Sequence, residues 1–384
     1  MTRLLADLVA IPSVNPMGRP LAGPGVLEGG ISDYLEGFFR GLGVDCRRIP
    51  IAPGRDNVIA RYEAPGARRT LLFDAHQDTV PTDGMTIDPF GAAIDGGRLF
   101  GRGACDIKGG MAAMLSAFAR LVRERPKGSA SVVLACTVDE EFTHIGSTAL
   151  ASWPHGADLA IVAEPTGLDL VDRHKGAVRW KVRARGVACH SSTPWRGENA
   201  IDRMALVLRA LAEHARDLRE SPPDPVLGPP SLSVGRIEGG QSVNIVPDSC
   251  EIEVDRRVIP GEDASACQSL AEEFVRTRPW VGAADQGSIE FLSPWVKMPA
   301  LAPHAAAEWV PLVADAIAAT IGRRPAVVGV PYGTDAGPLA AVGLPALVLG
   351  PGDIAQAHTK DEWVELEQVR QAAGVYYEIA CALG

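Results

Sequence analysis

The architecture of this chain is indicated by the stretch Leu71-Leu72-Phe73-Asp74-Ala75-His76-Gln77-Asp78, an apolar run that ends in polar side chains. Similar short apolar runs occur at 132–138, 159–163 and 346–349, and helical stretches such as the one from Gly110 lie between them. Runs that are apolar nearly throughout indicate strands covered on both faces, as in α/β proteins. We therefore predict an α/β fold with its site at the C-terminal ends of the strands.

The composition bounds the class of protein. A length of 384 residues favours two domains, and the 46% apolar and 22% charged residues are ordinary for a globular protein. The net charge of −10 disfavours nucleic-acid or anionic membrane partners. No apolar run approaches the ~20 residues that span a bilayer, and the N-terminal stretch carries Asp7, which indicates a helix rather than a signal peptide. Seven cysteines without a Cys-x-x-Cys motif predict a cytoplasmic protein with reduced thiols.

The middle of the chain has a different pattern, which predicts an inserted domain. Residues 178–185 alternate apolar and basic side chains, as in a half-exposed strand. An amphipathic helix from Ala200, two strands, a second helix and a short last strand follow. This β-α-β-β-α-β order predicts a ferredoxin-like α+β domain over residues 175–293. Residues 1–174 and 294–384 would then form the first domain.

Residues of metal-binding types stand in five separate segments, each after an apolar run: His76, Asp106, Glu141, Glu164 and His358. Two imidazoles and three carboxylates can hold two divalent cations if one carboxylate binds both. Asp106 is the candidate for the shared ligand, with His76 and Glu164 on one ion and Glu141 and His358 on the other. Nitrogen and oxygen donors without thiolate suit Zn²⁺, Co²⁺ or Mn²⁺.

Two further carboxylates have predicted supporting roles. Glu140 is assigned to the general base, because a base must stand free of the metals and reach water. Asp78 is assigned to orienting His76, because a carboxylate can hold the other ring nitrogen of a metal-binding histidine. Taken singly, these residues also fit ordinary roles, such as a loop histidine, a helix N-cap at Asp106 or surface acids. Their combination favours a metal site.

Together these segments resemble the metal-dependent family of acetylornithine deacetylases, succinyl-diaminopimelate desuccinylases, aminoacylases and glutamate carboxypeptidases. The resemblance runs from the first residues to about residue 370, with every site motif in order. It implies a mixed-sheet, zinc-exopeptidase-like catalytic domain with two metal ions, zinc first and cobalt second. It also implies an inserted lid that forms a homodimer. One departure, Glu141-Phe142-Thr143-His144-Ile145-Gly146 in place of Glu-x-Gly, predicts a loop of different shape after the base.

The inserted domain carries motifs of the same family. The segment around His190 resembles one whose histidine reaches the active site, often from the partner subunit, which would make it a stabiliser of the oxyanion. By the same match Asn244 and Arg257 would contact the substrate carboxylate, for which the arginine fork is suited. Gly333 and Thr334 lie in a segment that resembles the substrate-binding loop. Turn residues or a surface ion pair remain the ordinary alternatives.

The resemblance implies amide hydrolysis by metal-activated water, with Glu140 as the proton carrier. The segment Gly350–His358 is closest to acetylornithine deacetylase-like members, so the first prediction is an N-acyl-amino-acid deacylase of arginine biosynthesis. The second is succinyl-diaminopimelate desuccinylase, and the third is a carboxypeptidase- or dipeptidase-type exopeptidase acting on short peptides. A metal-binding protein without catalysis is a further alternative, which the presence of both the base and all five ligands disfavours.

Overall fold

The chain forms two compact units in the computed structural model, which describes residues 1–384 except for the side chains of Ala283, Ala284 and Ala305. The first unit comprises Met1–Arg173, Leu301–Val330 and Thr334–Gly384. The second comprises His174–Ala300 and Pro331–Gly333. The insertion predicted for residues 175–293 falls within this second unit.

The strands and helices are numbered in chain order. The strands are β1 Cys46–Ala52, β2 Arg55–Tyr62, β3 Thr70–His76, β4 Ile94–Asp95, β5 Arg98–Phe100, β6 Ser131–Thr137, β7 Leu159–Val162, β8 Leu170–His174, β9 Gly176–Arg185, β10 Ser231–Gly239, β11 Ser249–Val258, β12 Ile289–Phe291, β13 Val296–Met298, β14 Val327–Val330, β15 Ala346–Val348 and β16 Trp363–Glu365. The helices are α1 Thr2–Ala10, α2 Gly29–Gly41, α3 Gly109–Glu124, α4 Ile145–Ser152, α5 Ala200–Glu220, α6 Cys267–Arg276, α7 Ala283–Gln286, α8 Val310–Ile321, α9 Ala336–Ala341 and α10 Leu366–Ala382.

The first unit is built on a mixed sheet with the strand order β1-β2-β6-β3-β7-β15-β8-β14. The four apolar runs of the sequence form the central strands β6, β3, β7 and β15, which are parallel to one another. Parallel strands end at the same edge of a sheet, so the residues that follow them are brought together there. The predicted α/β class with a mixed sheet is confirmed.

Helices cover both faces of this sheet. Leu71 and Phe73 belong to a core shared with α1, α2, α3 and α10, where Phe73 packs against Tyr376 with ring centroids 5.4 Å apart. Leu72, between them, points to the other face and packs in a core with Leu150 of α4 and Leu339 of α9. Both sets of alternate side chains are therefore buried, which explains why the strands are apolar nearly throughout.

The second unit has the element order β9-α5-β10-β11-α6-β12 with the antiparallel sheet order β10-β11-β9-β12, as in a ferredoxin-like fold. Alternate residues of β9, including Trp180 and Val182, are buried in a separate core with α5 and α6. The intervening Arg179, Lys181 and Arg183 lie on the other face, where they pair with acidic residues of neighbouring strands. The alternation of apolar and basic residues thus follows from one covered face.

Among the described helices, none is both long enough and apolar enough to cross a membrane.

Candidate metal centre

The ends of the parallel strands carry the predicted metal-binding residues of the first unit. His76 is the last residue of β3 and stands opposite Thr137, the last residue of β6. Glu140 and Glu141 follow β6 after a short turn, and Glu164 follows β7. After β6 the backbone turns at Asp139, which adopts a left-handed φ of 64°. The polar side chains therefore leave their strands at one edge of the sheet.

Asp106 lies between two histidines. Its Oδ1 atom is 3.1 Å from Nε2 of His76, and its Oδ2 atom is 3.3 Å from Nε2 of His358. The side chain is supplied by the short turn Ala104–Lys108 that leads into α3. Each carboxylate oxygen thus faces a different imidazole, which is the arrangement that a carboxylate bridging two cations requires.

Glutamate carboxylates also approach both histidines. Glu164 Oε1 is 3.7 Å from Nε2 of His76, and Glu141 Oε2 is 3.1 Å from Nε2 of His358. By these shortest distances, the other four residues form two pairs around Asp106. His76 and Glu164 lie on the Oδ1 side, whereas His358 and Glu141 lie on the Oδ2 side.

The donor set fits divalent cations. Oε1 of Glu141 and Oε1 of Glu164 are buried atoms without a hydrogen-bond partner among the described residues. Buried polar atoms in native proteins nearly always have a hydrogen-bond partner or a bound ion. We therefore expect each of these oxygens to bind a partner such as a cation. His76, Asp106 and Glu141 also form a group whose ligand atoms lie within 4.8 Å of one another, as do His76, Glu140 and Glu164. Imidazole and carboxylate donors suit zinc and its neighbours.

The electrostatics of this cluster favour cations at its centre. Burial alone would raise the pKa of Asp106, but hydrogen bonds with His358 and His76 hold that pKa below its ordinary value. Burial opposes the charge on His76, yet the hydrogen bond to Asp106 and the neighbouring carboxylates raise the pKa of this imidazole well above its usual range. Burial raises the pKa of both Glu141 and Glu164. The clustered carboxylates repel one another and are stabilised by positive charge, which either bound protons or two metal ions can provide.

Glu140 lies at the edge of the cluster. Its Oε2 atom is 3.9 Å from Nε2 of His76, and the residue is 9% exposed. Burial, reinforced by the charge of Glu164, raises its pKa well above the ordinary value of a glutamate. A carboxylate with a raised pKa can both accept and return a proton near neutral pH, which is the property that a general base needs.

Asp78 contacts His76 through its backbone rather than through the carboxylate that the sequence predicted. Nδ1 of His76 is 2.9 Å from the backbone carbonyl oxygen of Asp78 and 3.6 Å from its carboxylate. The carboxylate instead accepts hydrogen bonds from the backbone N–H groups of Glu140 and Glu141 and from the side chain of Asn15. Asp78 therefore orients the imidazole through its main chain and fixes the loop of the two glutamates through its side chain.

Two features of the site were not predicted. Glu362, four residues after His358, accepts hydrogen bonds from the loop that carries Asp106. His144 lies in the segment that departs from the family pattern, and its Nδ1 atom is 3.1 Å from Asp335 and 3.7 Å from Glu140. The departure itself was the only sequence signal for His144. For Glu362 the sequence offers only an acidic residue directly before a strand. This pattern is too common to identify a functional residue.

The predicted substrate-binding residues lie mostly in the second unit. His190 is exposed, its Nδ1 atom is 2.7 Å from Ser192 Oγ, and its backbone forms a bridge with Ile245, next to Asn244. Arg257 is half-buried and pairs with Asp255 at 2.9 Å. Gly333 packs so closely against Met298 that a Cβ atom would overlap it.

Thr334 belongs to the first unit. It is fully buried, and its hydroxyl accepts a hydrogen bond from the backbone N–H of Ala336 at the start of α9. The structure thus brings His190 and Asn244 into one loop pair of the second unit, whereas Thr334 bonds to the first residue of α9 in the first unit.

The sequence of the chain is similar to that of a known protein family. The sequence model of Peptidase family M20/M25/M40 matches residues 72–382, a range that includes all five residues of the cluster around Asp106.

Curated relatives and a solved structure are similar over nearly the whole chain. A succinyl-diaminopimelate desuccinylase of Cereibacter sphaeroides is 33% identical, with 98% of this chain and 97% of the relative covered. An acetylornithine deacetylase of Yersinia pseudotuberculosis is 31% identical, with the same 98% and 97% coverage. The crystal structure of a dinuclear metal-binding peptidase of the M20 family from Bacillus subtilis has a TM-score of 0.69 at 16% identity, covering 99% of this chain and 96% of that one.

Proposed function

Because the chain belongs to peptidase family M20/M25/M40, a family of metal-dependent hydrolases, we propose that it cleaves the amide bond of an N-acyl amino acid. The observation that carries this proposal is the position of Asp106, whose two carboxylate oxygens face two different histidines at 3.1 and 3.3 Å. A single metal ion would not need a carboxylate shared in this way.

The proposed metal ligands are the five clustered residues. His76 and Glu164 would hold one ion, Glu141 and His358 would hold the other, and Asp106 would bind both. Zn²⁺ is the first choice and Co²⁺ the second, because the donors are nitrogen and oxygen without thiolate. When bound, the two cations would supply an activated water and would polarise the acyl carbonyl.

The protein's own residues would then move the proton and hold the substrate. Glu140 would take the proton of the attacking water and deliver it to the nitrogen of the leaving amine. His190 would donate a hydrogen bond to the oxygen on which negative charge develops. Arg257 and Asn244 would bind the substrate carboxylate, and Gly333 and Thr334 would shape the binding loop.

The first choice of substrate is N-acetylornithine, and the runner-up is N-succinyl-diaminopimelate. The curated relatives support both about equally, since an acetylornithine deacetylase and a desuccinylase have nearly the same identity to this chain. Short peptides are the third choice. A role in arginine biosynthesis follows only from the first of these substrates.

A side-by-side turnover assay tests the proposal. The zinc- and cobalt-loaded protein is given N-acetylornithine, N-succinyl-diaminopimelate and a dipeptide panel, with chelator-treated protein as the control. We expect one of the acyl amino acids to be hydrolysed with the highest kcat/KM and the activity to disappear with chelator. Hydrolysis of dipeptides alone would replace the deacylase proposal by the exopeptidase. Bound metal without turnover of any amide would favour the non-catalytic alternative.

A homodimer through the second unit is part of this proposal. Apolar side chains of that unit are exposed near His190 and Asn244, notably Val243 at 99%, Trp195 at 77% and Val187 at 50%. Exposed apolar patches of this kind mark interaction sites. Sedimentation analysis of the protein and of Val243→Asp tests this assignment, with a dimer expected for the first and a weakened dimer for the second. A monomer at micromolar concentration would contradict it.

A further inference from the structure

Glu362 is a fully buried carboxylate that accepts hydrogen bonds from four donors. Its Oε2 atom accepts from Nη1 of Arg102 at 2.6 Å and from the backbone N–H of Gly103 at 3.0 Å. Its Oε1 atom accepts from the backbone N–H groups of Cys105 and Asp106 at 2.9 and 3.0 Å. Four donors from the short segment 102–106 therefore converge on a single side chain.

These contacts fix the backbone that presents Asp106. The turn is irregular, since Gly103 has a left-handed φ of 81° and Asp106 itself has non-helical φ and ψ values of −116° and 93°. Its N–H groups therefore cannot all bond to carbonyl groups within the turn. The carboxylate of Glu362 provides the missing acceptor, as backbone N–H groups that converge on an anion do in other proteins.

The same residue belongs to the segment that follows His358. The backbone N–H of Gly101 donates to the carbonyl oxygen of Glu362 at 2.9 Å, and Nη2 of Arg102 donates to the carbonyl oxygen of Thr359 at 3.3 Å. Immediately afterwards β16 pairs with β5 in an antiparallel register. The loop of Asp106 and the loop of His358 are thus joined through Glu362 and its neighbours.

His358 is the most exposed of the five clustered residues. Its side chain is 53% exposed, compared with 8% for Asp106 and 5% for Glu141. A side chain with so little packing around it is positioned mainly by its backbone. We propose that Glu362 is a positioning residue, which holds the loops of Asp106 and His358 at the spacing that the metal ion between them requires. The inference rests on the proposed function, because it takes these two residues as ligands.

The connection is asymmetric between the two proposed ions. His76 lies in the central strand β3, is 1% exposed at its side chain and is held by the carbonyl oxygen of Asp78. Loss of the Glu362 contacts should therefore lower the affinity for the ion on the His358 side more than the affinity for the ion on the His76 side.

Stepwise titration of metal-free protein with Co²⁺ tests this asymmetry. The electronic absorption of Co²⁺ reports each binding step, and elemental analysis gives the stoichiometry. In Glu362→Gln the amide keeps the shape of the carboxylate but turns an N–H donor toward one pair of donors, either Arg102 and Gly103 or Cys105 and Asp106. We expect two tight equivalents in the wild-type protein, and in Glu362→Gln one tight equivalent with a second that binds about 10- to 100-fold more weakly, the usual effect of losing a residue that supports a ligand. Equal affinities for both equivalents in the two proteins would overturn the proposal.

Controls separate this inference from instability and from failure of the proposed function. Glu365→Gln removes a carboxylate from the same strand that pairs with Arg98 at the surface, and it should bind both equivalents as the wild type does. Glu362→Asp keeps the charge, and its affinity for the second Co²⁺ equivalent should lie between those of the wild type and Glu362→Gln. It therefore replaces Glu362→Gln in the comparison if that variant does not fold. Equal weakening of both steps would also contradict the asymmetric role. A wild-type protein that binds no Co²⁺ would instead refute the proposed metal centre itself.

Discussion

The carboxylate of Asp78 accepts a hydrogen bond from the backbone N–H of Glu140, with 3.1 Å between the nitrogen and Oδ1. Its other oxygen accepts from the next backbone N–H, that of Glu141, at 3.2 Å. The carbonyl oxygen of the same residue lies 2.9 Å from His76 Nδ1. One residue therefore sets the positions of a proposed ligand, a second ligand and the proposed base relative to one another.

Asp78→Asn should weaken metal binding although it changes no proposed ligand. The amide cannot accept hydrogen bonds from two N–H groups with both of its terminal atoms, so the loop of Glu140 and Glu141 loses one anchor. We expect metal affinity to fall about 10- to 100-fold, as is usual when a residue supporting the ligands is changed. Metal titration measures this, with Asp45→Asn at an exposed position as the matched control. Unchanged affinity would show that the carboxylate of Asp78 is dispensable.

Glu140→Gln should retain both metal ions and lose nearly all turnover. A glutamine has the size of the glutamate but cannot carry a proton between water and the leaving amine, and general-base catalysis typically contributes about 10²- to 10⁴-fold. The comparison measures kcat and metal content together, with Glu220→Gln on the exposed surface of α5 as the control. Substantial activity in the metal-loaded Glu140→Gln protein would remove Glu140 from this role.

Metal binding should release protons, and metal affinity should therefore increase with pH. Hydrogen bonds with Asp106 and Glu141 raise the pKa of His358 to about 11, so the metal-free imidazole is protonated at neutral pH. It must lose this proton to bind a cation, and raising the pH toward about 11 removes that competition. The raised pKa values of Glu141 and Glu164 act in the same direction.

Calorimetric zinc titrations at pH 7.5 in two buffers of different ionisation enthalpy give the number of protons released. We expect a positive number that becomes smaller in His358→Gln. A binding enthalpy independent of the buffer would contradict this account of the protonated cluster.

Mixed dimers should reveal whether His190 acts across subunits. If the histidine of one subunit completes the site of the other, inactive His190→Ala and inactive Glu140→Gln proteins, mixed in equal amounts and allowed to exchange, should recover up to about a quarter of wild-type activity. About half of the dimers are then mixed, and each mixed dimer holds one intact site out of two. Each variant exchanged with itself is the control. If no activity returns although exchange is demonstrated, the assignment of His190 to the partner's site is wrong.

The fold could be predicted because the decisive pattern is local. The apolar run at Leu71–Ala75 and its three counterparts predict strands covered on both faces, and the structure places them as parallel neighbours at the centre of the sheet. The clustering of His76 and Glu164 follows from the same topology, since both residues stand at C-terminal strand ends. The alternating pattern in β9 likewise predicted a sheet with one exposed face.

The supporting contacts could not be predicted because they join segments far apart in the chain. Glu362 and Asp106 are separated by 256 residues, and His144 and Asp335 by 191. In the sequence, Asp361-Glu362 resembles an ordinary pair of surface acids, and only the fold shows that the second is fully buried. Asp78 itself was predicted. Backbone geometry decides that its carbonyl oxygen contacts His76 while its carboxylate binds the N–H groups of Glu140 and Glu141.

Anomalous diffraction at the zinc absorption edge, from crystals of the zinc-loaded protein, tests the shared role of Asp106 most directly. We predict two peaks, one near His76, Glu164 and Oδ1 of Asp106 and the other near His358, Glu141 and Oδ2. A single peak, or two peaks of which only one touches Asp106, would contradict this prediction.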